Sequence, residues 1–273
     1  MRRAGQQPGT KDIETRTPSS TTIPGETSPG SDRTTARIVG ALYLGGMVIG
    51  VAGNILIQAI LTSPNHLSTI ATSGTLLAIG TVFWLATVGG DAAHGVLMFP
   101  LLKRGSERVA IGYLTARIVD ATFIAVMSLL IVVQIPLGLA YLKSGTPDRS
   151  YLTALGAVLT DANAYAYEFG MTAVGVAGLI LCSAFFRTRL VPRPLAVWGL
   201  VGYSILLCGS VVQILGFDLS SIHAIPGGLW ELFIGIWLIA KGFNSSSTAV
   251  STTPAIRSTT PATTPPLVGS VVA

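Results

Sequence analysis

The chain has 273 residues, of which half are hydrophobic and only 11% charged, with a net charge of +5. A soluble domain carries about a quarter charged residues, so this composition belongs to a membrane protein. The basic excess does not point to nucleic acid, because Lys and Arg lie between apolar runs and do not cluster on one soluble face.

Residues 1–33 mix Thr, Ser, Pro, Gly and charge without apolar periodicity and read as a disordered tail. The tail is too polar for a signal peptide, and the apolar run from Ala36 is longer than a signal core of roughly 7 to 15 residues, so that run reads as an uncleaved first span. A membrane helix needs about 20 apolar residues. Such runs at 36–61, 73–102, 110–140, 162–186, 195–217 and 224–243 predict an all-α bundle of six transmembrane helices over 34–243. The third run is overlong and holds Pro136, which predicts a kink or interfacial end between Gln134 and Tyr141. The short stretch 151–161 reads as an interfacial lead-in to the fourth span. From Asn244 the chain returns to Ser, Thr and Pro, a second disordered tail over 244–273.

Cytoplasmic loops of membrane proteins carry the excess of Lys and Arg. With a cytoplasmic N-terminus, the inside segments collect Arg33 and Arg37, then Lys103, Arg104 and Arg108, then Arg187, Arg189 and Arg193, then Lys241, besides the basic residues of both tails. The other side keeps only Lys143 and Arg149. Both termini are therefore expected in the cytoplasm of a cell-membrane protein, in agreement with an even number of spans.

Arg117 lies inside the third span, where a central charge costs roughly 2.5 to 3.5 kcal/mol unless the bundle supplies partners. Asp120, three residues on, shares its helix face. The second and third spans are joined only by residues 103–107, so they are antiparallel neighbours, and counting outward from Gly105 sets His94 level with Arg117 and Asp91 level with Asp120. These positions lie about 16 to 22 Å from the loop tip, and Glu231 lies about 15 Å in from Lys241. Asp91, His94, Arg117, Asp120 and Glu231 thus form a candidate intramembrane cluster with more acid than base, and a carboxylate in excess can exchange a proton. Asn54, Gln58, Glu168 and Gln213 form a possible outer polar layer. Together the two layers can trace a polar route across the bundle. His66 and His223 fall in short outer loops and read as solvated, and the four tryptophans read as packing or interface anchors. Small residues carry helix contacts in lipid, so Gly46 and Gly50 in the first span, and Gly170, Ala173, Ala177 and Gly178 in the fourth, mark close packing. The Gly46/Gly50 face also offers a contact between copies.

No catalytic or cofactor-binding motif stands out. Asp91 and His94 alone have a usable metal-ligand spacing, too few for a zinc centre, and GxSxG and phosphate-loop patterns are missing. Cys182 and Cys208 sit singly in apolar runs and read as small hydrophobes.

Four stretches together resemble a known family: ARIVGALYLGG at 36–46, the Arg117-Ile-Val-Asp120 element, the segment from Phe186 to Gly199, and Pro226 through Phe243 with Glu231, Gly235, Trp237, Leu238, Lys241, Gly242 and Phe243. The chain looks like the bacterial multi-pass membrane family called domain of unknown function 4386, over about 36–243. That family usually shows Arg-x-x-Glu in the third span, so Asp120 departs from it by one methylene. The resemblance implies a helical fold of six to seven spans and an inner-membrane location, and no activity. The residues themselves favour a lipid-embedded protein whose protonatable cluster serves binding or proton-linked transport of a small molecule. The alternatives are a membrane scaffold acting through partners and, more remotely, a metal-dependent hydrolase.

Overall fold

The computed structural model describes residues 29–244, so the disordered-tail readings of 1–33 and 244–273 fall almost wholly outside it. The elements are α1 (Pro29–Leu61), α2 (His66–Lys103), α3 (Glu107–Val132), α4 (Gln134–Lys143), α5 (Thr146–Thr188), α6 (Arg193–Ile214), a 3-10 turn (Ile222–Ala224) and α7 (Ile225–Ala240). Six helical segments, with α3 and α4 counted as one, are long and apolar enough to cross a membrane. Their outward faces are apolar too, with Val48, Val82, Val96 and Leu129 all more than half exposed, as lipid contact requires and water would not allow. The chain is a multi-pass membrane protein.

Local chemistry fixes the breaks. Ser106 caps α3 by accepting a hydrogen bond from the Val109 amide, and Glu107 in the first turn complements the helix dipole. The third span breaks at Val133, which puts Pro136 in the first turn of α4, where its missing N–H has no partner to lose. The expected kink therefore falls one residue ahead of Gln134. A second kink, at Ser73 in α2, coincides with a Ser-Gly pair of low helix propensity. Arg189 ends α5 with φ of 57°, and Gly242, which follows α7, has φ of 75°, a left-handed conformation that glycine adopts without strain.

The stretch 151–161 is the beginning of α5 itself and no separate lead-in. At 43 residues α5 extends about 64 Å, twice the hydrocarbon thickness of about 30 Å. The excess length has partners. The first turns of α5, the first turns of α2 and all of α4 form a small apolar extension in which a Cβ at Gly138 would lie 2.8 Å from the Leu67 carbonyl oxygen. There Thr160 also donates a hydrogen bond to Gln134 Oε1 at 3.3 Å.

The spans form a ring in chain order, α1–α2–α3–α5–α6–α7, closed by α7 against α1. Glycines set the close approaches. A Cβ at Gly40 would meet the Gly235 carbonyl oxygen at 2.6 Å, one at Gly53 would meet the Gly80 carbonyl oxygen at 2.9 Å, and one at Gly178 would overlap the Tyr203 ring. At one end of the ring the basic connections gather. Arg104 pairs with Asp32 through two bonds of 2.7 and 2.8 Å, which hold its guanidinium above its ordinary pKa, and the Asn244 amide donates to the Leu190 carbonyl oxygen at 2.9 Å. Both ends of the described chain therefore emerge at the basic end. An apolar core including Met98, Leu101, Leu181, Phe185, Trp230 and Leu238 fills the ring there.

If Gly178 is small because Tyr203 occupies its place, Gly178→Ala lowers stability by about 1 to 3 kcal/mol, as overpacking does. Gly45→Ala, where a Cβ meets nothing within 4 Å, should leave the thermal transition of the detergent-solubilised chain unchanged. Equal transitions for the two variants would refute the packing account.

Candidate functional site

The α2–α3 hairpin places Arg117 opposite Gly95, and a Cβ at Gly95 would lie 3.2 Å from the Arg117 Cβ. With no side chain in the way, the arginine stem lies flat on α2 and its guanidinium reaches one turn along. Nη2 donates to Asp91 Oδ1, and Nη1 stands 3.2 Å from Asp120 Oδ2 on the next turn of α3. Arg117 is 8% exposed and Asp120 fully buried. Asp120 Oδ1 has no hydrogen-bond partner and looks toward Gly170 of α5, where a Cβ would be 3.6 Å away. One guanidinium thus holds two carboxylates, as the depth count expects.

Glu231 of α7 does not join this ion-pair group by direct contact. Its Oε1 accepts a hydrogen bond from the Tyr203 hydroxyl at 2.9 Å. Gly178 makes the room for that tyrosine. His94 lies at the expected level but turns away. Its Nδ1 shares a hydrogen bond with the Tyr113 hydroxyl at 2.5 Å, its ring packs edge-on against Tyr43 at 4.6 Å, and it is 2% exposed. Among the described residues no three His, Cys, Asp or Glu side chains stand where they could hold a metal ion.

The outer layer is better knit than its sequence suggests. Gln213 Nε2 donates to Glu168 Oε1 at 2.6 Å, while Gln213 Oε1 accepts from the Leu219 amide at 3.0 Å, so one side chain ties the α6–α7 connection to α5. Glu168 is buried, and its Oε2 lies 3.5 Å from His223 Nε2. His223 is buried as well, seated over Gly209 and 3.5 Å from the Ser210 hydroxyl, so the reading of that histidine as solvated is corrected: the connection folds inward as a 3-10 turn and carries the ring with it. His66 is also not free in solvent, since its Nε2 is buried against Gly156.

A cavity of about 1030 Å³ lies inside the ring. Its wall includes Asp91, Arg117, Asp120 and Glu231 at one level and Asn54, Gln58, Glu168 and Gln213 at another, and it reaches the exposed connection at Gly216 to Ser221. His94 is not part of the wall. Gly46 and Gly50, expected at a helix or subunit contact, line the cavity. A Cβ at Gly46 would meet nothing within 4 Å and one at Gly50 only Thr87 at 3.8 Å. The wall also contains Tyr43, Trp84, Asp161, Asn163, Tyr167 and Tyr203, which the sequence reading leaves out. Trp84 and the tyrosines look like packing or interface residues in a linear sequence. Asp161 and Asn163 look like a span boundary until α5 is known to continue through them.

No curated protein and no solved structure matches the chain. A family model does match, over residues 38–242, and its description is a domain of unknown function (DUF4386). The packing explains the glycines near the C-terminal end of that match, because Gly235 lets α7 touch the backbone of α1 at Gly40 and Gly242 supplies the left-handed turn after α7. With three quarters of its length inside that match, this chain belongs to the DUF4386 family.

Proposed function

We propose that the protein binds a small solute within the membrane, and carries it in exchange for or together with protons, using the central cavity as its chamber. The observation that carries this reading is that both polar layers, drawn from all six spans, line one continuous space. Polar groups serving as glue alone would be closed off from open space. Here the carboxylates of Asp91, Asp120 and Glu231, though partnered by Arg117 and Tyr203, border space large enough for a drug-sized molecule, since ligand pockets run from about 300 to 1,000 Å³. Acid in excess of Arg117 gives the chamber groups that can take up and release protons.

The distribution of Lys and Arg supports an orientation with the basic end in the cytoplasm of the cell membrane. The cavity then faces the outside. The apolar core at the basic end separates it from the cytoplasm in this conformation, as in a carrier open to one side.

Accessibility tests the chamber directly. In a Cys182→Ala, Cys208→Ala background, Gly46→Cys should react with a membrane-impermeant maleimide added outside intact cells, because its side chain projects into open cavity. Gly105→Cys, at the tip of a basic connection, should react only after permeabilisation. Failure of Gly46→Cys to react from either side would dispose of a water-filled chamber.

Charge balance supplies a second test, since removing one partner of a buried ion pair costs about 3 to 5 kcal/mol. Arg117→Ala should lower folded yield sharply. Asp120→Asn should fold, because Arg117 keeps Asp91. Collapse of both single variants with recovery in the double variant would reduce the cluster to a structural pair and remove the main support for a functional chamber.

A further inference from the structure

We infer that the solute of this cavity is an organic cation, admitted at the end away from the basic connections; the inference rests on the cavity being a solute chamber. The charge of the wall is the first argument. Asp91, Asp120, Asp161, Glu168, Asp218 and Glu231 all line the cavity, while Arg117 is the only basic side chain among the lining residues. That arginine is already engaged by two of the acids. An anion entering here finds no free positive charge and several negative ones.

The acids are incompletely partnered. Asp120 keeps Oδ1 without a hydrogen bond, and Glu168 Oε2 has only His223 Nε2 beside it at 3.5 Å, both side chains being at least nine-tenths buried and bordering the cavity. A buried carboxylate with an incomplete set of partners is costly, and a cation in the adjacent cavity lowers that cost. At the level of Asp120 stands Glu231, with the Tyr203 hydroxyl as its hydrogen-bond partner.

The aromatic wall selects the kind of cation. Trp84 and Tyr167 pack edge to face at 6.0 Å, and both line the cavity together with Tyr43 of α1. Aromatic faces attract alkylated or delocalised cations whose charge is spread over an apolar body. A bare metal ion needs several oxygen ligands gathered around one point, and among the described residues the acids are strung along the cavity instead. At the mouth, Asp161 and Asp218 are exposed and would draw cations inward.

Tetraphenylphosphonium, tetraphenylborate and triphenylphosphine oxide are aromatic bodies of similar shape carrying positive, negative and no charge. Each is added to the full chain carrying Gly46→Cys in the thiol-free background, and protection from maleimide is measured together with the Kd by equilibrium dialysis. The phosphonium should protect and should bind at least about tenfold more tightly than the borate. Glu231→Gln, which keeps an acceptor for Tyr203 and so keeps the fold, should weaken the phosphonium about tenfold. Trp84→Leu should do the same through loss of its aromatic face. Equal protection by the borate or the neutral oxide would overturn the cation assignment and leave the chamber standing. Reaction of Gly46→Cys with no protection by any of the three would also overturn it. Only a Gly46→Cys that never reacts would strike at the chamber itself.

Discussion

Arg117 carries a charge that burial cannot remove, because a guanidinium does not lose its proton in a protein. Its presence in the third span is tolerable only if carboxylates come to it, and the fold is arranged to bring them. Asp120 arrives by helical periodicity alone. Asp91 arrives because the α2–α3 connection is too short to allow any arrangement but an antiparallel hairpin, and because Gly95 lets the arginine stem lie against α2. Asp120 in turn looks toward Gly170 on α5. One charge therefore sets the register of α2 against α3.

The other half of the ring is built without charge. In lipid there is no hydrophobic drive between helices, so contacts depend on close approach. Gly40 and Gly235 join α1 to α7, Gly175 and Gly178 seat α6 residues Leu207 and Tyr203 on α5, and a Cβ at Gly202 would touch Gly227 at 3.2 Å. Gly46 and Gly50 have the same spacing signature and do the opposite, leaving space where a side chain would fill the cavity. Which of the two a glycine does is decided by the face it occupies.

That distinction explains what the sequence could and could not supply. The six spans are legible because hydrocarbon thickness imposes a length that composition reveals directly. The Arg117–Asp91 level is legible because a tight connection converts residue counts into depth. Depth says nothing of direction, however. His94 stands at the right level and points to Tyr43 and Tyr113, because three residues on from Asp91 the helix has turned by about 60° from that face. His223 reads as solvated because a linear sequence places it in a loop, whereas that loop folds inward and buries the ring. The length of α5 was hidden for a related reason. Thr160, Asp161 and Asn163 look like an interface, and only the packing of α4 and the start of α2 beside them explains why the helix continues through.

The same asymmetry gives the cavity one accessible end. Toward the α6–α7 connection its wall is acidic and hydrogen-bonding, and beyond Arg117 it gives way to Met98, Leu101, Leu181, Trp230 and Leu238. The polar pair His94 and Tyr113 is embedded in that apolar layer, bonded to each other through His94 Nδ1. In the proposed transport, an ion at Glu231 faces a desolvation barrier set by this apolar layer. Onward passage requires the helices to part. At the α1–α7 contact Ile239 seats on Gly40 and Leu44 on Gly235, and among the described residues no ion pair joins the two helices, so this contact can part without separating buried charges.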